Sequence, residues 1–184
     1  MMATTHAFVG LALASAYAAA GGEYATAAAA GALAGGVFPD VDLLAEHRKT
    51  LHFPEYYAVL GVLAVVVAAV ATVPVTVGVA GFLVSAAVHS ASDVFGGGTE
   101  ARPWLAQDDR GVFLHTQGRW ARPRRWVRYD GAPEDLAVAV AFAVPGWVAF
   151  DGWIREAVVA GVVVSVGYVL VRKRLPALEE RYLQ

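Results

Sequence analysis

The stretch 74-PVTVGVAGFLVSAAVHSASDVFGGG-98 carries two ionisable residues, His89 and Asp93, near the end of an otherwise apolar run. Four residues is just over one helical turn, so both side chains leave the same helix face. Ionisable groups are costly in a segment hydrophobic enough to enter a bilayer, which marks them as functional candidates. Ser85 and Ser92 extend the same polar stripe. Outward from this stretch, His6, the aspartates of 39-PDVD-42 and the histidines of 47-HRKTLH-52 recur in similar settings. Together they suggest a metal site at one end of a membrane helix bundle.

Composition agrees with that setting. The chain is 58% apolar and 16% charged, against roughly 45–50% and about 25% for soluble domains. Mean hydropathy is +0.52. The Ala/Val/Leu/Gly tracts run on without alternating, so the helices are hydrophobic on most sides. The expected fold is therefore all-α, a polytopic membrane helix bundle forming one domain over residues 1–184. A net charge of −2 points to no nucleic-acid partner. The absence of cysteine excludes disulfides and thiolate ligands. A metal would be held by imidazole and carboxylate, which suits zinc, manganese or iron.

Six apolar segments are expected, at about 4–20, 24–38, 56–73, 75–95, 136–150 and 154–171. Gly21-Gly22, Pro39, Pro74, the glycines at 96–98 and Gly152 break them, and Pro145 is placed to kink the fifth. A perpendicular span needs about 20 residues, or about 17 at the low end. Four segments are long enough; the second and fifth are short and either recruit flanking residues, thin the bilayer locally or lie partly re-entrant. The first is read as a spanning helix rather than a signal peptide, because Arg48 is the first basic residue and the usual basic n-region is missing. If the chain crosses six times, every lysine and arginine except Arg155 falls on one side. The positive-inside rule makes that side cytoplasmic, with both termini on it. In the loop at 96–135, 111-GVFLHT-116 and 126-WVRYDG-131, separated by 118-GRWARPRR-125, suggest a small interfacial loop, hairpin or meander.

Lysine and arginine alone orient this topology, yet it gathers His6, Asp40, Asp42, His47, His52, His89 and Asp93 at one membrane face. In an extended 40-DVD-42, both carboxylates would point one way, about 6.6 Å apart. They would then bridge two metals or divide into ligand and base; a polar helix exit accounts for them as well. His47 and His52, five apart, converge only if their loop folds back. Asp93 suits either a ligand or a group orienting His89 from behind, with a helix-packing hydrogen bond as the plain alternative. Arg48 suits an anion such as phosphate, or simply fixes topology. His115 lies outside the cluster. Imidazole with carboxylate is the ligand set of hydrolytic zinc and two-metal sites, where the metal acidifies water and polarises a phosphoryl or carbonyl oxygen.

Thr5-His6, 36-GVFPDVD-42, 47-HRKTLH-52 and 89-HSASD-93 followed by glycines resemble the YdjM-type family of inner-membrane metal-dependent hydrolases, over the first hundred residues. The resemblance implies His6, Asp40, Asp42, His47, His52, His89 and Asp93 as the metal and active-site set. Leu51-His52-Phe53 departs from the family's Thr-His-Ser, and the rest of the chain looks like haloarchaeal relatives. The reading adopted is a metal-dependent hydrolase of a lipid or lipid-linked phosphoester at the cytoplasmic face. His6, Asp40, His52, His89 and Asp93 would hold the metal, Asp42 or His47 would act as base or further ligand, and Arg48 would bind the anion. A phosphohistidine lipid phosphatase shares His-x-x-x-Asp, but it needs an arginine just upstream and the stretch from Phe82 to Val88 has none. A non-enzymatic metal-binding or transport protein is a second class; a transporter would place its ligands near the midplane on opposed repeats. A structural or signalling scaffold, with the metal only stapling loops, is a third, and a closed four-ligand site would mark it.

Overall fold

The computed structural model describes residues 1–182. They are mostly helical. Helix α1 spans Ala3–Ala19, α2 Ala25–Val37, α3 Pro54–Val70, α4 Pro74–Ser92, α5 Pro133–Ala149, α6 Trp153–Val171 and the short α7 Leu175–Tyr182. Prolines open α3, α4 and α5, at the one helical turn where a missing N–H costs nothing. Helix α5 continues through Pro145. Two helical stretches among the described residues, Pro74–Phe95 and Trp153–Leu178, are long and apolar enough to cross a membrane, and α3 is a shorter apolar helix.

Helix α1 lies at the centre and packs on α2, α4, α5 and α6. Its Phe8 lies against Gly161 of α6 and its Leu11 against Gly146 of α5, beside Ile154 and Val158. The most extensive helix pair is α2 with α4. A Cβ on Gly31 or Gly35 would overlap the backbone carbonyls of Gly78 and Phe82, so only glycine permits this approach. Small-residue contact of this kind holds apolar helices together when the surroundings are as apolar as the side chains. The outward faces are apolar too: Val59, Val62 and Val66 of α3, Val75 of α4, and Val163 and Leu170 of α6 are all exposed. Contiguous apolar surface of that kind marks a lipid or protein contact rather than a water-facing wall.

Two local expectations are corrected. The segment 40-DVD-42 is not extended; it lies in a 3-10 turn, Phe38–Leu44. Three residues per turn send the two carboxylates to different sides. The hairpin is also built differently. Strand β1, Val112–Leu114, pairs antiparallel with β2, Arg119–Ala121, so Phe113 faces Trp120. The 126–131 run is not its partner. Instead Arg124, Arg125 and Val127 donate backbone hydrogen bonds to Val94, Gly96 and Phe95, and Trp126 stacks on Phe95. The glycine-rich exit of α4 leaves its carbonyls free for that pairing.

Gly31→Val should push α2 off α4 and cost about 1–3 kcal/mol, the usual penalty of overpacking. Denaturant unfolding in detergent should show the lowered midpoint. Gly167→Ala, whose Cβ would meet open space, should not lower the midpoint and should raise it slightly, since alanine suits a helix interior better than glycine.

Candidate metal centre

Four elements deliver the cluster: α1 carries His6, the 3-10 turn Asp40 and Asp42, the following loop His47 and His52, and the end of α4 His89 and Asp93. Arg48 makes the loop fold back. It adopts φ 61°, a left-handed conformation costing a side-chain-bearing residue about 1–2 kcal/mol. Two contacts hold it there: its N–H approaches Asp42 Oδ1 at 3.4 Å, and its carbonyl accepts from Phe113 N–H at 3.0 Å. The turn brings the His47 and His52 rings to 5.5 Å, edge to face.

Asp40 Oδ1, His52 Nε2, His89 Nε2 and Asp93 Oδ2 converge, all within 4.8 Å of one another. His52 Nε2 lies 3.0 Å from Asp93 Oδ2 and 3.6 Å from Asp40 Oδ1. His89 Nε2 lies 3.3 Å from Asp40 Oδ1 and 3.6 Å from Asp93 Oδ2. His52 Nε2, His89 Nε2 and Asp93 Oδ2 are buried and form no hydrogen bond of good geometry. Unpaired buried polar atoms are costly and rare. A buried group of this kind could hold a metal ion.

The outer contacts turn both rings the same way. His52 Nδ1–H donates to Asp42 Oδ2 at 2.8 Å, and His89 Nδ1–H donates to the Gly36 carbonyl at 2.6 Å. Each hydrogen bond fixes the tautomer that leaves Nε2 bare and pointed inward. Asp42 is shared, since its Oδ1 accepts from His47 Nδ1–H at 2.9 Å and its Oδ2 also from Leu51 N–H at 3.1 Å. Asp40 and Asp42 thus meet opposite edges of the His52 ring. His6 stands outside the converging four. Its Nε2 is 3.1 Å from Asp93 Oδ1, its Nδ1 is 3.2 Å from Ser92 Oγ, and its ring stacks on His89 at 3.8 Å. The tautomer that satisfies both contacts donates to Asp93 and accepts from Ser92, which makes His6 a support for two inner residues.

Burial pushes the Asp42 carboxyl up, but hydrogen bonds from His47 and His52 outweigh it and hold the group below the ordinary carboxylate range. Asp40 is likewise held low against burial, mainly by His89. Burial works to lower His52, yet Asp42 and Asp93 on its two nitrogens raise it overall. Arg48 neutralises from behind. Its guanidinium is buried, donates to the Gly97 and Gly111 carbonyls at 2.6 and 3.3 Å, and puts Nε 3.6 Å from Asp93 Oδ2. Both of those hydrogen bonds come from Nη1, and Arg48 also lines the cavity beside the centre. In front of the centre lies a cavity of about 390 Å³, with Asp40, His47 and Arg48 on one wall and Asp130, Tyr168 and Arg172 on another.

Two supporting residues had no distinguishing mark in the sequence. His115, set aside there, donates from Nε2 to the carbonyls of Lys49 and His52 at 2.9 and 3.0 Å, tying the hairpin to the ligand loop. Asp135 is fully buried and accepts from Met2 N–H and Thr5 Oγ1, both at 2.7 Å, and from Gly131 N–H at 3.0 Å. It fixes the start of α1 and so the place of His6. An acid in a first helical turn is ordinary, and only tertiary contact distinguishes this one.

Compared with known protein families, curated proteins and solved structures, the chain matches none.

His89→Ala should remove stoichiometric divalent metal, read by mass spectrometry on protein purified after exposure to zinc. Asp42→Asn should weaken zinc about 10–100-fold, the usual cost of losing an outer carboxylate, measured by chelator competition. Wild-type metal content in His89→Ala would place any bound ion elsewhere.

Proposed function

We propose that this chain is an integral membrane protein that hydrolyses a phosphoester, or another ester, of a lipid or lipid-linked substrate. Six apolar segments would lie in the plasma membrane with both termini cytoplasmic, as the distribution of lysine and arginine suggests. The observation that carries the reading is the convergence of three orphaned buried atoms with Asp40, beside a cavity that His47, held by Asp42, also lines. Zinc suits the donors. Tetrahedral bonds of about 2.0–2.2 Å put ligand atoms roughly 3.3–3.6 Å apart, and the closest pairs here are separated by 3.0–3.6 Å. Manganese and iron use the same donor types. The resemblance to the YdjM-type hydrolases points the same way.

A divalent ion held there would supply Lewis acidity, polarising the ester oxygen and acidifying water. The protein's own residues supply the rest. Asp42 holds His47 through Nδ1 and leaves Nε2 as the proton acceptor, the usual arrangement of an oriented general base. As the water oxygen bonds to phosphorus, its proton passes to His47, the ester P–O bond breaks, the leaving alkoxide takes a proton from solvent water, and the His47 proton returns to that solvent. Arg48 and His6 keep Asp93 in place throughout.

The donor count favours one second reading. Four protein donors are the number of a closed structural site, which fits a non-enzymatic metal-binding protein. The two readings differ at Asp40, the most exposed of the four and the one lining the cavity. In the hydrolase Asp40 marks the substrate side; in the structural protein it completes the shell.

Zinc-loaded protein in detergent should release phosphate or alcohol from phospholipid-like phosphoesters. His47→Gln should lower kcat by about 10²–10⁴-fold, the typical contribution of a general base, with metal content unchanged. Equal turnover in His47→Gln would remove His47 from the chemistry. No turnover across phosphoesters and other esters would leave the structural metal protein.

A further inference from the structure

The cavity in front of the centre has a second wall with no part in the chemistry above, and its polarity is graded. Val164, Ser165 and Tyr168 of α6 and Arg172, which caps its C-terminus, line it, spaced so that they share one helix face. Arg172 clamps Asp130 through Nε and one Nη at 2.7 and 2.9 Å, and Tyr168 hydroxyl donates to the same carboxylate. Arg172 and Lys173 both lie over the Trp104 ring, and basic–aromatic pairs of this kind sit at membrane–water boundaries. Eight residues earlier, about 12 Å along the helix at 1.5 Å per residue, the wall is the bare isopropyl of Val164. The 3-10 turn lines the cavity with a polar and an apolar residue too: Asp40, which also belongs to the centre, and Leu43 three residues on.

Leu43 and Val164 are 67% and 60% exposed. Helix α6 packs mainly on α5 and only lightly on α1, so the gap between α6 and the 3-10 turn is not closed by helix packing. A soluble phosphoester entering from water has no use for apolar lips beside a polar centre. The volume falls at the lower end for small-ligand pockets, roughly 300–1,000 Å³. It admits a headgroup but not the chains of a lipid, which must leave through a gap.

We propose that this gap is a lateral portal through which one phospholipid-like molecule enters from the bilayer. Its phosphoester headgroup rests between Asp40–His47 and the Tyr168–Arg172 wall, and its acyl chain passes out between Leu43 and Val164. The substrate class is then a membrane-resident lipid phosphoester rather than a soluble one. The portal rests on the membrane-hydrolase reading for what happens to the headgroup, but not for the binding itself.

The test uses the full chain in detergent, loaded with zinc, and a phosphatidic acid carrying a photoreactive diazirine on its acyl chain. After irradiation, adducts should map to residues 41–43 and 163–168. Val164→Trp should reduce them to the level seen in wild type competed with excess unlabelled lipid. Val159→Trp, on another face of α6 and off the cavity, should leave them unchanged. Equal zinc content in all three proteins shows that the centre is intact. Adducts spread over the outward faces of α3 and α6, and indifferent to Val164→Trp, would overturn the portal. Labelling that depends on Val164, in a protein that cleaves no ester, would uphold the portal and remove the hydrolase reading instead.

Discussion

Buried polar atoms brought together without a hydrogen bond of good geometry are costly, and a fold keeps them only where they hold a cation or the strain serves a purpose. His52 Nε2, His89 Nε2 and Asp93 Oδ2 are in that position here. Each is held by a contact on its far side: Asp42 behind His52, the Gly36 carbonyl behind His89, His6 behind Asp93. Remove any of these and the ring or carboxylate can turn to find another partner. The centre therefore depends less on the donors than on what prevents them from rotating.

Those outer contacts reach into nearly every element. Gly36 can offer its carbonyl to His89 because Gly31 and Gly35 let α2 lie directly on α4. Asp42 stands between two imidazoles because Arg48 takes a left-handed turn, and β1 holds that turn through Phe113. His115 pins the carbonyl of His52 from the hairpin, and Asp135 of α5 anchors the turn before His6. The loop between α4 and α5, which reads in the sequence as an interfacial connection, is thus a wall of the site. Helix α6, which packs mainly on α5 and lightly on α1, supplies Val164, Ser165 and Tyr168 to the far wall of the cavity.

What was legible in the sequence follows from the range of each interaction. His89 and Asp93 lie four apart on a helix, and helical periodicity puts them together without outside help. The five further residues gathered by topology do meet at one end of the molecule, although His6 supports the converging four rather than joining them. Local conformation was harder. Pro39 and the two aspartates suit an extended strand or a 3-10 turn about equally, and the choice comes from Asp40 and Asp42 meeting the two edges of one imidazole. The hairpin shows the same limit. Its aromatic and β-branched runs mark strands, but the partner of 126–131 was the exit of α4, and pairing between distant segments leaves no local trace.

By itself the sequence determined that this chain is helical and apolar, that any metal must be held by nitrogen and oxygen, and which histidines and aspartates are candidates. These follow from composition, helical period and the absence of cysteine, all properties of residues or near neighbours. Tertiary structure alone decided which atoms face inward, that Arg48 braces the centre from behind, that His115 and Asp135 belong to its support, and which residues line the cavity. Those outcomes depend on tautomer, ring rotation and the distance between helix backbones, which are set only when segments far apart in the chain come into contact.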